Sequence, residues 1–270
     1  MKNFKVYLSF LVVNFLFYSS SATAQGKFQT SIEKESIQIG SGSVLLLSSI
    51  LLEKNLSITP QEILLLKKDD INFIDRSAVN YYSKNLSLAS DVLLITSVLL
   101  PTSFLVMNEA KNDLIEIGIM YLETLTLTYG ITNLTKNIFQ RFRPYAYNNS
   151  IEISEKLDSD TKKSFFSGHT STSFASAVFF SSVFSELSSD EEAKTLVWIG
   201  SLSLASATGL LRYFSGKHFP TDILAGAVVG SLIGYTIPKL HKVSNSQDIK
   251  YTVNQNSFSI IINFDSKFLK

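Results

Sequence analysis

The chain has 270 residues and a formal net charge of +1, so no basic field favours nucleic acid as a partner. It contains no cysteine, which excludes disulfides, thiolate nucleophiles and cysteine-ligated metals. Hydrophobic residues make up 45% of the sequence, charged residues make up 17%, and the mean hydropathy is +0.18. These values are high for a soluble enzyme and modest for a protein that spans a membrane many times.

Residues 1–24 are predicted to be a secretory signal peptide. Lys2 and Lys5 supply the positive start, residues 6–18 form an apolar core, and a small-residue cleavage site ends at Ala24. The alternative is a membrane anchor that is not cleaved.

Residues 25–87 are predicted to be an N-terminal segment with short apolar and amphipathic helices. The apolar run Ser41–Leu52 is short for a hydrocarbon core, which needs about 20 residues, so we expect an interfacial or packed helix there. Residues 55–84 mix charged side chains with Leu and Ile. This pattern indicates an amphipathic helix and a connection at a membrane surface, or ordinary soluble structure.

Five longer apolar segments follow, and none shows the strict alternation of a half-buried strand. They are Leu88–Met107, Leu114–Leu134, Phe174–Phe184, Leu196–Leu211 and Ile223–Ile237. The last segment carries Gly226, Gly230 and Gly234 at intervals of four residues, a spacing that lets another helix approach closely. The sequence therefore predicts an all-α fold, a membrane-embedded bundle of about six helices, with its helical domain at residues 88–242.

Three acidic residues, Asp91, Glu116 and Glu123, lie in apolar surroundings. Acids inside a membrane are functional candidates by default. Here we favour interior hydrogen bonding or a helix end over a functional role.

The C-terminal tail, residues 243–270, changes in composition. Ile249–Val253 and Phe258–Phe264 are rich in β-branched and aromatic residues, with a polar stretch between them. This pattern predicts a β-hairpin, although the signal is weak.

The first polar cluster combines Lys136 with Arg143, seven residues later, and Pro144, which is predicted to end the helix. Within one helix the two cations would share a face about two turns apart. Arg141 offers a second guanidinium outside that spacing. Taken alone, such a pair is typical of a solvated helix end near the C-terminal dipole.

The second polar cluster is Ser167-Gly168-His169, directly before the third apolar run. A small hydroxyl residue and a glycine before a helix expose backbone N–H groups that can bind an oxyanion. His169 would then lie beside the anion and could act as a general acid. An ordinary helix N-cap explains the serine equally well.

The third polar cluster holds Arg212, His218 and Asp222. In a helix that begins near Pro220, the Asp222 carboxylate could turn back onto the His218 imidazole and fix its tautomer. An imidazole held beside a cation suits a nucleophile that attacks an anionic electrophile, although a structural His–Asp pair is the simpler explanation. The chain has three histidines, and two of them lie in these clusters. The order and spacing of the three clusters together favour function.

The three clusters resemble the signature of the type 2 phosphatidic acid phosphatase (PAP2) superfamily, which also includes bacterial non-specific acid phosphatases and vanadium haloperoxidases. The resemblance covers about residues 130–238. Two positions depart from the family pattern, since Phe166 replaces a usual proline and Leu211 replaces a usual serine. Neither replaced residue is an expected proton carrier, so we expect altered loop packing and retained activity.

The resemblance implies a phosphatase that needs no metal and no cofactor and works through a phosphohistidine intermediate. His218 would attack phosphorus, Asp222 would hold the attacking tautomer, and His169 would protonate the leaving alcohol and later activate water. The residues that bind the phosphoryl group would be Lys136, Arg143, Ser167, Gly168 and Arg212.

The implied substrate is a lipid phosphate or pyrophosphate in a membrane, with no nucleic acid and no obligate protein partner. If the signal is cleaved and Ser41–Leu52 does not cross, the site faces the periplasm from the inner membrane; if that run crosses, the site faces the cytoplasm. The alternatives are a soluble periplasmic acid phosphatase of broad specificity, a vanadate-dependent haloperoxidase, and a non-catalytic lipid-binding membrane protein.

Overall fold

The computed structural model describes residues 26–30, helical positions at 40, 42, 44, 45, 47 and 48, and residues 57–243, 249–254 and 257–262. The predicted signal peptide, residues 1–24, lies outside the described residues. So does much of the predicted short helix Ser41–Leu52, of which only the positions just named are described.

Within residues 57–243 the structure has six α-helices, five of them long. They are α1 (Pro60–Leu64), α2 (Lys84–Leu99), α3 (Leu114–Phe139), α4 (Gly168–Leu187), α5 (Glu191–Phe214) and α6 (Pro220–His241). The all-α bundle predicted from the sequence is confirmed. Helices α3 to α6 contain their predicted apolar runs completely and extend beyond them into polar residues at one or both ends.

Two regions before α3 differ from the sequence prediction. Helix α2 changes into a 3₁₀-helix at Leu100–Val106, because Pro101 has no N–H to continue the α-helical hydrogen bonds. The predicted amphipathic helix of residues 55–84 is not continuous. It consists of α1 and two 3₁₀ turns, Lys68–Asp70 and Arg76–Asn80. The segment forms small apolar clusters against the loops after α3 and α5 instead of packing as one helix.

Helix α4 lies at the centre of the bundle and packs against α2, α3, α5 and α6. Its contact with α6 is backbone to backbone. A Cβ on Gly226, Gly230 or Gly234 would lie 2.7, 2.1 or 2.3 Å from a carbonyl oxygen of α4. These oxygens belong in order to Ser167, Ser171 and Ala175. Since both sequences ascend together, the two helices are parallel and have their N-termini at the same end of the bundle.

Residues 26–30 lie at the opposite end of the bundle from these N-termini. Phe28 is fully buried and forms a β-bridge with Lys242, directly after α6, and its N–H donates to Asp113 Oδ1 at 2.9 Å. Helix α6 has 22 residues, so this end is about 33 Å from the other. Ile58, in contrast, packs with Ala146 at the end where α6 begins. The chain therefore passes from one end of the bundle to the other between Phe28 and Ile58.

Four segments of the described chain are long and apolar enough to cross a membrane. They are Lys84–Val106, Leu114–Tyr147, Glu191–Phe214 and Pro220–His241. Helix α4 is serine-rich and buried along most of its length, so it needs no apolar surface towards lipid. The protein is a membrane protein in which apolar helices surround a more polar central one.

The C-terminal tail contains the predicted hairpin. Strand β1 (Ile249–Asn254) pairs antiparallel with β2 (Ser257–Ile262), with Ile249 opposite Ile262.

The glycine contact between α4 and α6 gives a direct test of the fold. Gly230→Ala should lower the free energy of unfolding by about 1–3 kcal/mol or more, because its Cβ would overlap the Ser171 carbonyl oxygen. Thermal unfolding of the purified protein in detergent measures the change. The matched control is Gly200→Ala in α5, where a Cβ meets no atom within 4 Å. An equal loss in both variants would contradict close α4–α6 packing.

Candidate active site

His218 lies in the loop between α5 and α6 and is 1% exposed. Its Nδ1 is 2.8 Å from the Ser164 carbonyl oxygen, which only accepts, so Nδ1 carries the proton. Nε2 is therefore unprotonated and accepts a hydrogen bond from Arg143 Nη1 at 3.2 Å. Burial, followed by the positive charges of Arg143 and Arg212, lowers the pKa of His218 well below 6.5. The imidazole is therefore neutral, with an unprotonated nitrogen directed at a guanidinium.

Asp222 acts on His218 through Ser164, where the sequence predicted a direct contact. The Asp222 carboxylate is 3.7 Å from His218 Nδ1, too far for a hydrogen bond. It accepts instead from the Ser164 hydroxyl at 2.5 Å and from the Phe219 N–H at 2.9 Å. The side chain of Ser164 thus binds Asp222 while its carbonyl binds His218. Sequence reasoning missed Ser164, since a lone loop serine gives no signal.

Arg141 connects Asp222 to the N-terminal segment. It does not fit the spacing of the first motif, so the sequence assigned it no role in the site. Its Nη1 donates to Asp222 at 2.5 Å and its Nη2 donates to Asp75 at 2.7 Å. Asp75 is fully buried and also accepts from the backbone N–H of Thr221 at 3.0 Å. Burial raises the pKa of Asp75, but the hydrogen bonds from Thr221 and Arg141 outweigh it and hold the pKa below its usual value. The start of α6 is therefore fixed by a buried ion pair.

Arg143 reaches the site from a loop, so the prediction that it shares a helical face with Lys136 is wrong. Helix α3 ends at Phe139, because Gln140 adopts a left-handed conformation with φ of 44°. The Arg143 guanidinium is then held by Asp160, through Nε to its carbonyl oxygen at 2.8 Å and Nη2 to Oδ1 at 2.7 Å. Burial raises the pKa of Asp160, but the charges of Arg143 and Lys136 outweigh it and lower the pKa. Asp160 stays ionised.

The N-terminus of α4 brings Ser167 and Gly168 to Lys136. Ser167 is the N-cap, and its Oγ accepts from the Thr170 N–H at 3.3 Å and the Thr170 hydroxyl at 2.9 Å. Its own proton is used in neither bond. A Cβ on Gly168 would lie 3.3 Å from Lys136 Nζ, so the ammonium lies against this helix end. Ser167 can therefore cap α4 through its oxygen and still donate its own proton to a bound anion, so the two roles expected from the sequence do not exclude each other.

Arg212, in the last turn of α5, is 4% exposed. Its Nη1 donates to the hydroxyls of Ser87 and Ser90 on α2, both at 3.1 Å. Its Nε is buried and has no hydrogen-bond partner among the residues that the structure describes. A buried donor without a partner is costly, and a bound oxyanion would satisfy it.

His169 is hydrogen-bonded to Asp91, an acid for which the sequence favoured a structural role. Its Nε2 is 2.6 Å from Asp91 Oδ1, and the same oxygen is 3.6 Å from Arg212 Nη1. The side chains of His169 and Asp91 are 27% and 47% exposed, whereas His218 is buried. The site thus opens at the His169 side.

The structure therefore brings the predicted site residues together at one end of the bundle. Three cations, a helix N-terminus and two imidazoles lie within one network of contacts, and Asp91, Asp160 and Ser164 complete it. Convergent cations and helix N–H groups of this kind bind phosphoryl oxygens, and a neutral imidazole beside them can act as a nucleophile.

The comparison with known families agrees with this chemistry. A model of the PAP2 superfamily matches residues 118–246. The part of the chain that carries the three motifs belongs to the PAP2 superfamily.

Two curated relatives come from Porphyromonas gingivalis. A lipid A 1-phosphatase is 31% identical over 112 residues, which is 41% of this chain and 20% of the relative. A lipid A 4'-phosphatase is 28% identical over 142 residues, which is 51% of this chain and 56% of the relative. The chain thus spans a fifth of one relative's length and just over half of the other's. A solved transmembrane PAP2-type phosphatidylglycerolphosphate phosphatase from Bacillus subtilis has a TM-score of 0.47 and 17% identity, covering 74% of this chain and 94% of its own.

The ion pairs of Arg141 predict a large effect on stability. Arg141→Met should lower the free energy of unfolding by about 3–5 kcal/mol, because it leaves two buried carboxylates, Asp75 and Asp222, without their cation. Thermal unfolding in detergent measures this change. Arg76→Met, at an exposed arginine directly after Asp75, is the control. Similar midpoints for both variants would show that the pair does not fix α6.

Proposed function

We propose that this protein is a PAP2-type phosphatase that hydrolyses the phosphate ester of a membrane lipid through a phosphohistidine on His218. The observation that carries the proposal is the neutral, buried imidazole of His218, whose unprotonated Nε2 accepts from Arg143, a cation that can also hold the phosphoryl group. Catalytic activity is further supported by the names of the curated relatives, which are phosphatases.

In the first step, the Nε2 lone pair of His218 forms a bond to phosphorus and the bond from phosphorus to the ester oxygen breaks. The electron pair of that bond goes to the leaving oxygen, which takes a proton from His169. Arg143, Arg212 and Lys136 stabilise the negative charge that builds on the phosphoryl oxygens. The carbonyl of Ser164 holds the Nδ1 proton and so stabilises the positive charge that develops on the ring.

In the second step, water replaces the histidine. His169, now neutral, accepts a proton from a water molecule as its oxygen bonds to phosphorus. The bond between phosphorus and Nε2 then breaks, releasing phosphate and restoring the neutral imidazole. The exposure of His169 supports this role, because both the leaving alcohol and the water arrive on the open side of the site.

A lipid substrate is supported by the position of the site at the end of helices apolar enough to cross a membrane. The head group of a lipid at the membrane surface could reach Lys136, Arg143 and Arg212 directly, while the acyl chains of the lipid stay in the hydrocarbon. Both curated relatives carry names that state a phosphorylated lipid as substrate.

For the orientation, we propose a periplasm-facing site in a bacterial-type inner membrane. Among the described residues, the end opposite the site carries Lys27, Lys111, Lys239 and Lys242, but the loops at the site end carry more lysines, so the positive-inside tendency does not support this orientation and the labelling experiment below has to test it. Residues 26–30 lie at that end, so they would be cytoplasmic. Cleavage in the periplasm after Ala24 and a periplasmic site therefore exclude each other in this bundle, and the proposal keeps the periplasmic site.

Trapping of the intermediate tests the chemistry. His218→Asn should reduce phosphate release from a lipid phosphate in detergent micelles by roughly three orders of magnitude or more. With labelled 4-nitrophenyl phosphate, whose leaving group needs no proton, His169→Asn should accumulate protein-bound phosphate that is stable in base and lost in acid, because only the second step then lacks its base. His241→Gln, at the opposite end of α6, should keep the rate per folded protein. Labelled phosphate retained by the His218 variant would assign the nucleophile elsewhere.

The absence of cysteine makes the orientation testable with single introduced thiols. Gln29 and Ser150 are exposed at opposite ends of the bundle. With a membrane-impermeant maleimide on spheroplasts, Ser150→Cys should be labelled at once and Gln29→Cys only after the membrane is opened. The reverse pattern would place the site in the cytoplasm. Immediate labelling of both would mean that the bundle does not separate the two ends across a membrane.

A further inference from the structure

Helix α2 contributes a polar ridge to the site, although it lies before the residues that match the PAP2 family. Ser87, Ser90 and Asp91 are spaced three and four residues from the first, so they share one face of the helix. Each of the three contacts a residue of a motif. The ridge is thus a fourth element of the site, beyond the three motifs.

The two serines of this ridge bind Arg212, whereas its acid, Asp91, binds His169. Ser87 and Ser90 accept from Nη1 of Arg212, which fixes the guanidinium and leaves its Nε free for a ligand. Asp91 takes Nε2 of His169 at 2.6 Å, in the range of a charge-assisted hydrogen bond. Ser90 is fully buried, so the ridge packs tightly against α5.

We propose that Asp91 is the positioning residue of the general acid. By accepting from Nε2, it turns Nδ1 of His169 towards the leaving oxygen. Its hydrogen bond and charge also oppose the burial and the Arg212 charge that lower the pKa of His169, and so favour the imidazolium that must form before proton transfer. When the bond from phosphorus to the ester oxygen breaks, the Nδ1 proton moves to that oxygen and His169 becomes neutral. This inference rests on the proposed phosphatase function, since it assigns a partner to the acid of that reaction.

The exposure of Asp91 separates this role from a purely structural one. A carboxylate that only fills the bundle interior would be enclosed, whereas the side chain of Asp91 is 47% exposed at the open side of the site. It lies between His169, the proposed general acid, and Arg212, one of the proposed phosphate-binding residues, 3.6 Å from Arg212 Nη1. A competing role is that Asp91 lies where the leaving group would bind and is displaced by it, in which case removing the carboxylate would leave turnover unchanged or faster.

Dependence on the leaving group tests the proposal. Asp91→Asn should lower kcat/KM for a short-chain dialkylglycerol phosphate by about 10²–10⁴-fold, because an alkoxide needs a proton to leave. For 4-nitrophenyl phosphate, whose leaving group is stable as an anion, kcat/KM should fall far less, because this ratio reports only the steps up to formation of the phosphohistidine and not its hydrolysis, which both substrates share. Phosphate release in detergent is the readout, and Glu116→Gln, an acid in an apolar stretch of α3, is the control that should keep both rates.

A double variant shows whether Asp91 acts through the histidine. Once His169 is replaced by Asn, adding Asp91→Asn should cause no further loss, since residues of one catalytic unit are not additive. An equal fall for both leaving groups, an additive double variant or unchanged turnover would overturn the role of Asp91. If the wild-type protein hydrolyses neither substrate, the proposed function itself fails.

Discussion

The parallel contact between α4 and α6 is the constraint on which the site depends. Because glycines let the two parallel backbones touch, both helices begin at the same end of the bundle, and the partial positive charges of their N-termini lie close together. The antiparallel helices α3 and α5 bring Lys136 and Arg212 to the same place. One close helix contact thus creates a strongly positive region that only an anion can balance fully.

Such a cluster of positive charge needs compensation within the protein, and acids around the rim supply it. Asp160 holds Arg143, Asp91 lies near Arg212, and Asp75 shares Arg141 with Asp222. None of these acids binds the free Nε of Arg212. The rim therefore balances part of the positive charge without taking the position of the phosphoryl group, and it holds each cation in one orientation.

The sequence predicted the helices and the convergence of the three motifs, because apolar length and residue order are local signals. It could not predict how the loops fold between them. Lys136 and Arg143 have helical spacing, but Gln140 ends the helix before Arg143. His218 and Asp222 also have helical spacing, yet Ser164 inserts between them from a distant loop. The sequence favours a structural role for Asp91 for the same reason, since its partner His169 lies 78 residues away.

The enclosed position of α4 has a consequence for the response to different bilayers. A bilayer that is thicker or thinner than the apolar helices makes lipid-facing helices tilt or shift. Helix α4 is largely shielded from lipid by its neighbours, so such a mismatch acts on it only indirectly. The helix end that carries Ser167, Gly168 and His169 is thereby insulated, and the geometry of the chemistry can stay constant while the surrounding helices adapt to hydrocarbon thickness.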